Sequence, residues 1–214
     1  MKDTSQKLKS RKRRKLVKRI KAIKKKQHKT HNRRKSKNKK KSKILMIEFV
    51  ISLFITMLLI YIVSVFTFSI REISGYSMMP TLEDRNWVYI NKMAKLRRFN
   101  LVAYTDEQSK EIAIRRLIGL PGETIYYQKD TLFVNGEEVF ERFLVEQVDR
   151  SKNSNAQFTK DWDLSQVVPE NKYVVLGDNR PYATDSREYG FVDKKNVIGV
   201  VEMRVFPFHE LKKF

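Results

Sequence analysis

A segment of 22 residues without a charge, residues 49–70, constrains the fold of this chain more than any other feature. As an α-helix, rising about 1.5 Å per residue, it is long enough to cross a hydrocarbon core of about 30 Å. The segment is longer than the apolar part of a cleaved signal peptide, and no Ala-x-Ala site follows it. A helix that is apolar on all sides and flanked by Lys43 and Arg71 is more typical of a membrane span than of a protein core. We therefore predict one transmembrane helix over residues 44–70.

The charge of the chain lies almost entirely before this segment. The whole chain carries +21, and residues 1–43 contain 23 Lys and Arg with one acidic residue, Asp3. This tail has few apolar side chains to bury, so we predict that it is disordered. Twelve Lys and Arg in residues 24–43, against two in residues 71–90, place the tail in the cytoplasm and residues 71–214 outside the cell membrane. We expect the tail to bind anionic lipids of the inner leaflet, and we expect no nucleic acid partner.

Residues 71–214 form a segment long enough for one domain with a core. It has 22 basic and 22 acidic residues, so it has no net field to attract nucleic acid. Short runs rich in β-branched and aromatic residues alternate with turn signals such as Asn135-Gly136, which predicts a mainly β, antiparallel domain. The runs are residues 87–90, 101–104, 125–127, 132–134, 173–176 and 197–201. The polar residues 146–171 are predicted to form a long surface loop.

The supply of chemically active side chains is limited. The chain has no Cys, which excludes disulfides, a thiolate zinc site and a Cys nucleophile. Of its three His residues, His28 and His31 lie in the tail, and only His209 follows the apolar segment. This distribution argues against a Ser-His-Asp triad and against a multi-His metal site. We expect neither a metal nor a cofactor.

Four short motifs occur in order along the outer domain. They are residues 77–82 (Ser-Met-Met-Pro-Thr-Leu), 85–90 (Arg-Asn-Trp-Val-Tyr-Ile), 115–123 (Arg-Arg-Leu-Ile-Gly-Leu-Pro-Gly-Glu) and 177–190, which begins Gly-Asp-Asn-Arg. Together with the membrane anchor they resemble the type I signal peptidases, in particular the Gram-positive branch. The resemblance implies a β-rich fold and a membrane-bound hydrolase, a serine protease that removes signal peptides from secreted precursors at the outer membrane face. It covers nearly all of residues 70–208.

The resemblance also implies roles for individual residues. Ser77 is the nucleophile, and its own backbone N–H helps to hold the oxyanion. Met78 and Met79 are candidates for contact with the substrate, although packing is an equal possibility for them. The residues expected to support the site are Asp178, Asp185, Ser186 and Arg187.

Two positions depart from the family's pattern. The family activates its Ser with a Lys whose pKa is lowered by burial, and Arg115 occupies that position here. A guanidinium has a pKa above about 12 and cannot accept the Ser77 proton. Where the family often has a Ser that orients the Lys, this chain has Ala183. The base and its orienting partner are therefore missing together.

Three explanations remain open at the level of sequence. The chain has lost cleavage and retains Ser77 by inheritance, or another base such as Lys92, Lys110 or a water aided by Thr184 replaces the Lys, or Arg115 favours the Ser77 alkoxide. The leading interpretation is a signal peptidase I-type protein that acts on the signal peptides of secreted precursors and is a serine endopeptidase if active. The alternative is a catalytically impaired relative that assists the assembly of surface proteins or pili.

Overall fold

The computed structural model describes residues 41–43 and 45–214. The prediction of a disordered tail therefore falls, apart from residues 41–43, outside the described residues. The chain divides into two compact units between Tyr61 and Ile62. An apolar helix, α1, spans Lys41–Thr67, with a mean hydropathy of 2.7 and no buried residue in its most apolar stretch. By length and composition α1 can cross a membrane.

The helix in the structure has other bounds than the residues 44–70 predicted for the membrane helix. Residues 41–43 are already helical, and α1 ends at Thr67, so that Phe68–Glu72 form a strand, β1. Residues 68–70 are apolar enough to continue a helix, but they pair with the neighbouring strand, in which Ser69 lies opposite Ile90 and Ile70 opposite Tyr89. The apolar composition of these residues fits a helix or a strand equally well, and pairing with a distant strand decides between them.

The second unit is an antiparallel β-structure, as the sequence predicts. Its remaining strands are β2 Trp87–Asn91, β3 Leu101–Thr105, β4 Ile112–Gly119, β5 Ile125–Gln128, β6 Thr131–Val134, β7 Glu137–Val139, β8 Trp162–Asp163, β9 Lys172–Leu176, β10 Val192–Asp193, β11 Val197–Phe206 and β12 Lys212–Lys213. Two helices, α2 Val145–Asn153 and α3 Ser186–Tyr189, and three 3-10 turns, Arg142–Leu144, Lys194–Asn196 and Phe208–Glu210, interrupt them. The larger sheet has the order β1-β2-β11-β3-β4-β9-β10 with β12 beside β11, and the smaller sheet has the order β7-β6-β5-β8.

The core forms where the alternation of the strands points apolar side chains inward. In β2, Val88 and Ile90 are fully buried, whereas Trp87 is exposed and Tyr89 and Asn91 are half-buried. They pack with Met78 and Leu82, from the segment that carries Ser77, in one apolar cluster. Burial of side chains of this size stabilises the fold by about 1.5–3 kcal/mol each. The position of Ser77 is thus fixed by the core beneath it.

The turn predicted at Asn135-Gly136 joins β6 to β7. Both residues have positive φ, 52° and 83°. This is the backbone that a two-residue hairpin with the right-handed strand twist requires, and Asn and Gly adopt it at the lowest steric cost.

The prediction of a long surface loop over residues 146–171 was wrong. Residues 146–153 belong to α2, residues 162 and 163 form β8, and Thr159 and Val168 are buried. The first turn of α2 carries Glu146 and its last turn Arg150 and Lys152, an arrangement that complements the helix dipole. Residues 146–153 are polar because α2 buries none of its residues, and polarity alone does not separate a helix of this kind from a loop.

Candidate active site

Ser77 lies in a tight turn between β1 and β2. The turn is closed by backbone hydrogen bonds, from Met79 N to Tyr76 O at 3.2 Å and from Leu82 N to Met78 O at 3.0 Å. Gly75 has a φ of 90° and donates its N–H to the Asp84 carboxylate at 2.8 Å. The Ser77 side chain is half-buried, and within the described residues its hydroxyl makes no hydrogen bond. Ser77 is therefore held through its backbone, while its side chain has no activating hydrogen-bond partner in the part of the chain that the structure describes.

The loop that follows β9 packs directly against Ser77. Asn179 donates its backbone N–H to Ser77 O and its side-chain amide to Tyr76 O, both at 3.0 Å. Gly177 is the point of closest approach, because a Cβ placed on it would lie 2.6 Å from Ser77 O and 2.3 Å from the Ala183 Cβ. The glycine lets the turn that carries Ser77 and the loop that carries Ala183 meet.

This contact predicts the effect of a methyl group. We expect Gly177→Ala to lower the free energy of unfolding by about 2 kcal/mol or more. The added methyl group would clash with Ser77 O and with the Ala183 Cβ, and both atoms can move only if the backbone shifts. Thermal unfolding of the purified protein measures the loss. Adding Ala183→Gly removes the shorter clash and should recover part of it, and a Gly177→Ala variant as stable as the wild type would show that the two segments do not meet in this way.

Asp178 joins the loop to the rest of the site. Its carboxylate accepts hydrogen bonds from Arg116 Nε at 2.8 Å and Nη2 at 2.5 Å, and from the Thr81 hydroxyl at 2.5 Å. The Arg116 guanidinium lies 3.8 Å above the Phe143 ring. Asp178 and Arg116 are both buried, so each compensates the charge of the other. The pair links β4, the loop and the segment that carries Ser77.

Asp185, Ser186 and Arg187 fix the far end of the loop. The Asp185 carboxylate caps α3 by accepting the Arg187 N–H at 3.1 Å, pairs with the Arg187 guanidinium at 2.8 Å and accepts the Gly177 N–H at 2.9 Å. The Ser186 hydroxyl accepts the Val175 N–H at 2.9 Å. These residues bond to the loop backbone and to each other, which is a supporting arrangement.

Arg115 reaches the same loop from β4. Its Nε and Nη2 donate to Thr184 O at 3.0 and 2.9 Å, and its Nη1 donates to Ile114 O at 2.7 Å. Among the described residues, no carboxylate lies within ion-pair distance of this guanidinium. Ala183, next to Thr184, is 5% exposed and presents only a methyl group. Arg115 thus holds a charge that is bonded to carbonyl oxygens.

Two tyrosines lie within the electrostatic influence of Arg115. Tyr104 on β3 and Tyr189 on α3 hydrogen-bond through their hydroxyls. Burial raises the pKa of both hydroxyls above the ordinary value, and the charge of Arg115 opposes this effect without overcoming it. Both phenols are therefore protonated at neutral pH, and neither supplies a base.

Lys92, one of the two lysines that the sequence offers as substitute bases, is engaged elsewhere. The Lys92 ammonium donates to Val65 O at 2.7 Å. Lys110 lies in the exposed turn between β3 and β4, where its backbone N–H bonds to Asp106 O. In the part of the chain that the structure describes, neither lysine is hydrogen-bonded to Ser77.

Met78 and Met79 have different environments. Met78 is 2% exposed and belongs to the core cluster beneath the turn, which favours packing over contact with a substrate. Met79 is 36% exposed, and its substrate contact stays a prediction. Within the described residues, no group of three or more His, Cys, Asp or Glu side chains could hold a metal ion.

Sequence reasoning missed several residues that build the site. Thr81 and Arg116 lie inside the quoted motifs, but their shared partner Asp178 is 62 residues beyond Arg116. Glu141, which pairs with Arg180 at 2.5 Å, lies in no motif at all. A buried ion pair between distant positions leaves no local pattern, so no signal in one sequence identifies Glu141.

Comparison with known proteins finds one family and several relatives. The family model described as "Signal peptidase, peptidase S26" matches residues 46–206. The chain is similar to "Signal peptidase I P" of Bacillus subtilis subsp. natto, with 35% identity over 80% of this chain and 95% of that protein. It is also similar to "Signal peptidase IB" of Staphylococcus aureus (strain N315), with 34% identity over 78% of this chain and 93% of the relative. A crystal structure of a signal peptidase I from Enterococcus faecalis V583 is 41% identical and covers 50% of this chain and 97% of that one, with a TM-score of 0.48.

The family match and these relatives define the class. The chain belongs to the signal peptidase family, peptidase family S26.

Proposed function

We propose that this protein binds the cleavage-site region of signal peptides on secreted precursors at the outer face of the cell membrane, and that it cleaves them at least about 10²-fold more slowly than a member with a lysine base would. The proposal of slow cleavage rests on one observation. The three hydrogen bonds of the Arg115 guanidinium go to the carbonyl oxygens of Thr184 and Ile114, while the Ser77 hydroxyl has no partner among the described residues.

The chemistry follows from proton affinity. A Ser hydroxyl is a weak nucleophile until a base accepts its proton. An arginine guanidinium has no lone pair with which to accept a proton, and raised pKa values keep Tyr104 and Tyr189 protonated. Ser77 is consequently present and positioned but lacks activation. The charge of Arg115 would stabilise a Ser77 alkoxide electrostatically. The Ser77 proton would still have no group to accept it, so forming the alkoxide would remain costly.

An open sheet edge supports peptide binding. β4 pairs with β3 along residues 112–116, but its pairing with β9 begins only at Arg116, opposite Leu176. Residues 112–115 therefore have no strand on their second side among the described residues. An extended peptide can add to such an edge through main-chain hydrogen bonds, with its alternate side chains facing the site. Arg115 lies at the end of this edge, beside the loop that contacts Ser77.

Three features support the proposed location in the cell membrane, with the β-domain at its outer face. Helix α1 is long and apolar enough to span a membrane. The excess of Lys and Arg before α1 favours a cytoplasmic N-terminus, and the same basic residues are the proposed contacts with anionic lipid. The larger sheet also exposes apolar side chains, as expected for a domain that works at a bilayer surface. These exposed side chains are Phe68, Ile70, Trp87, Met203 and Phe206.

A binding and cleavage assay tests the proposal. The full chain in detergent is mixed with a fluorescent secretory precursor that carries an Ala-x-Ala site, and the same precursor without its signal peptide is the control ligand. We expect wild type and Ser77→Ala to bind the complete precursor with the same affinity and the control ligand much more weakly. If the wild type cleaves at rates typical of peptidases and Ser77→Ala does not cleave, the proposed impairment of activity is contradicted. If both ligands bind equally, the proposed specificity for the signal peptide is contradicted. No contact in the described residues favours the alternative role in surface-protein or pilus assembly.

A further inference from the structure

We infer that Arg115 makes this site a receptor for a peptide's terminal carboxylate, so that the ligand bound most tightly is a signal peptide that has already been cut. The inference rests on the proposed function and names its preferred ligand. A cut signal peptide ends in a carboxylate at the atom where an intact precursor has a neutral amide. The two ligands are otherwise the same up to that point.

The first support is the set of donors that remains on Arg115. A guanidinium has five N–H donors. Nε and Nη2 each use one on Thr184 O, and Nη1 uses one on Ile114 O. Within the described residues this leaves one N–H on each Nη atom, on neighbouring nitrogens whose spacing matches the two oxygens of a carboxylate. The hydrogen bonds already made hold the guanidinium in place, which reduces the entropy lost on binding.

The second support is the charge balance of the site. Of the four arginines around the loop, three have a carboxylate partner: Arg116 pairs with Asp178, Arg180 with Glu141 and Arg187 with Asp185. Arg115 has none among the described residues. It is half-buried, so its charge is screened less than that of a surface arginine. A half-buried cation with carbonyl partners only is an environment that an anion would stabilise.

The third support is position. The peptide carbon that Ser77 would attack must lie at the Ser77 hydroxyl, and the Ser77 backbone contacts the loop whose Thr184 carbonyl Arg115 holds. A peptide added along the open edge of β4 runs beside Ile114 to this same place. A lysine here would have to be neutral to act as a base, and a neutral amine offers no charge to a carboxylate. The presence of Arg115 therefore changes the preference of the site from the scissile amide to the product.

Two synthetic signal peptides that end at the same Ala-x-Ala sequence test this inference, one with a free carboxylate and one with a terminal amide. Fluorescence anisotropy with the full chain in detergent measures both dissociation constants. We expect the carboxylate peptide to bind at least about tenfold more tightly, with a preference that falls as salt is added. Arg115→Gln should bring the carboxylate peptide to the affinity of the amide.

Arg150→Gln, at an exposed arginine of α2, is the matched control and should leave both affinities unchanged. If both peptides bind with equal affinity, the inference is overturned and the proposed function stands. A preference that survives in Arg115→Gln also overturns it, since another group would then hold the carboxylate. If neither peptide nor the intact precursor binds, the proposed function fails, and the inference fails with it.

Discussion

Replacing Arg115 by Lys together with Ala183 by Ser is expected to convert this protein into a signal peptidase that cleaves at least about 10²-fold faster than the wild type. The lysine would lie beside Thr184, where half-burial lowers its pKa by desolvation. The hydroxyl that Ala183→Ser introduces would lie in a buried position that now holds a methyl group, next to the loop backbone, within reach of the amine that it is expected to orient. Ser77 and the turn that holds it need no change.

The single variants and one further substitution make the result specific. Arg115→Lys alone should recover less activity than the double variant, and Ala183→Ser alone none, because it supplies no base. Ser77→Ala in the double background should abolish cleavage, which assigns the activity to this serine. The rate of the double variant should rise with pH as the lysine loses its proton. A double variant that folds and binds precursor but does not cleave would show that more than the dyad has been lost.

Removal of the Glu141 carboxylate is expected to destabilise the second unit by about 3–5 kcal/mol. Arg180 has no exposed side-chain surface and pairs with Glu141 at 2.5 Å. Burial acts to lower the pKa of Arg180, but the electrostatic interactions with Glu141, Tyr127 and Asp178 and the hydrogen bond to Glu141 together outweigh burial and raise it, so Arg180 stays charged. Glu141→Ala leaves this cation buried without a counter-charge, and the hydroxyl of Tyr127 loses its acceptor. Arg180 also donates to Gly177 O at 2.9 Å, so the loop against Ser77 should loosen at the same time.

Thermal unfolding measures this effect, and a loss of this size lowers Tm by about 10 °C in a unit of this length. The double variant Arg180→Met with Glu141→Leu should be more stable than Glu141→Ala, since it removes both charges and fills the space. The exposed pair Glu146–Arg150, 3.5 Å apart, is the control, and Glu146→Ala should cost no more than about 0.5 kcal/mol. A Glu141→Ala variant within about 1 kcal/mol of the wild type would mean that Arg180 finds water or another acceptor.

The parts of the fold that the sequence predicted well have local causes. The six apolar runs lie in β2, β3, β5, β6, β9 and β11, because β-branched and aromatic residues between turn signals favour strands wherever they occur. β4 was not predicted as a strand, since its two central arginines break the apolar pattern. The structure explains them: Arg116 is buried against Asp178, and Arg115 lies at the open edge beside Thr184. β4 can therefore contain two charged residues, because the loop that follows β9 supplies a hydrogen-bond partner to each of them.

By itself the sequence determined that a charge-free segment follows a basic tail and that an antiparallel β-domain follows that segment, and it predicts that Arg115 stands where the family has its base. These properties depend on composition and on short motifs, which are present in any conformation. The tertiary structure decided where α1 ends, which carboxylate compensates which arginine, and that the Arg115 guanidinium bonds to Thr184 O rather than to Ser77. These outcomes depend on pairs of residues far apart in the chain, whose contact free energies exist only after the strands have paired.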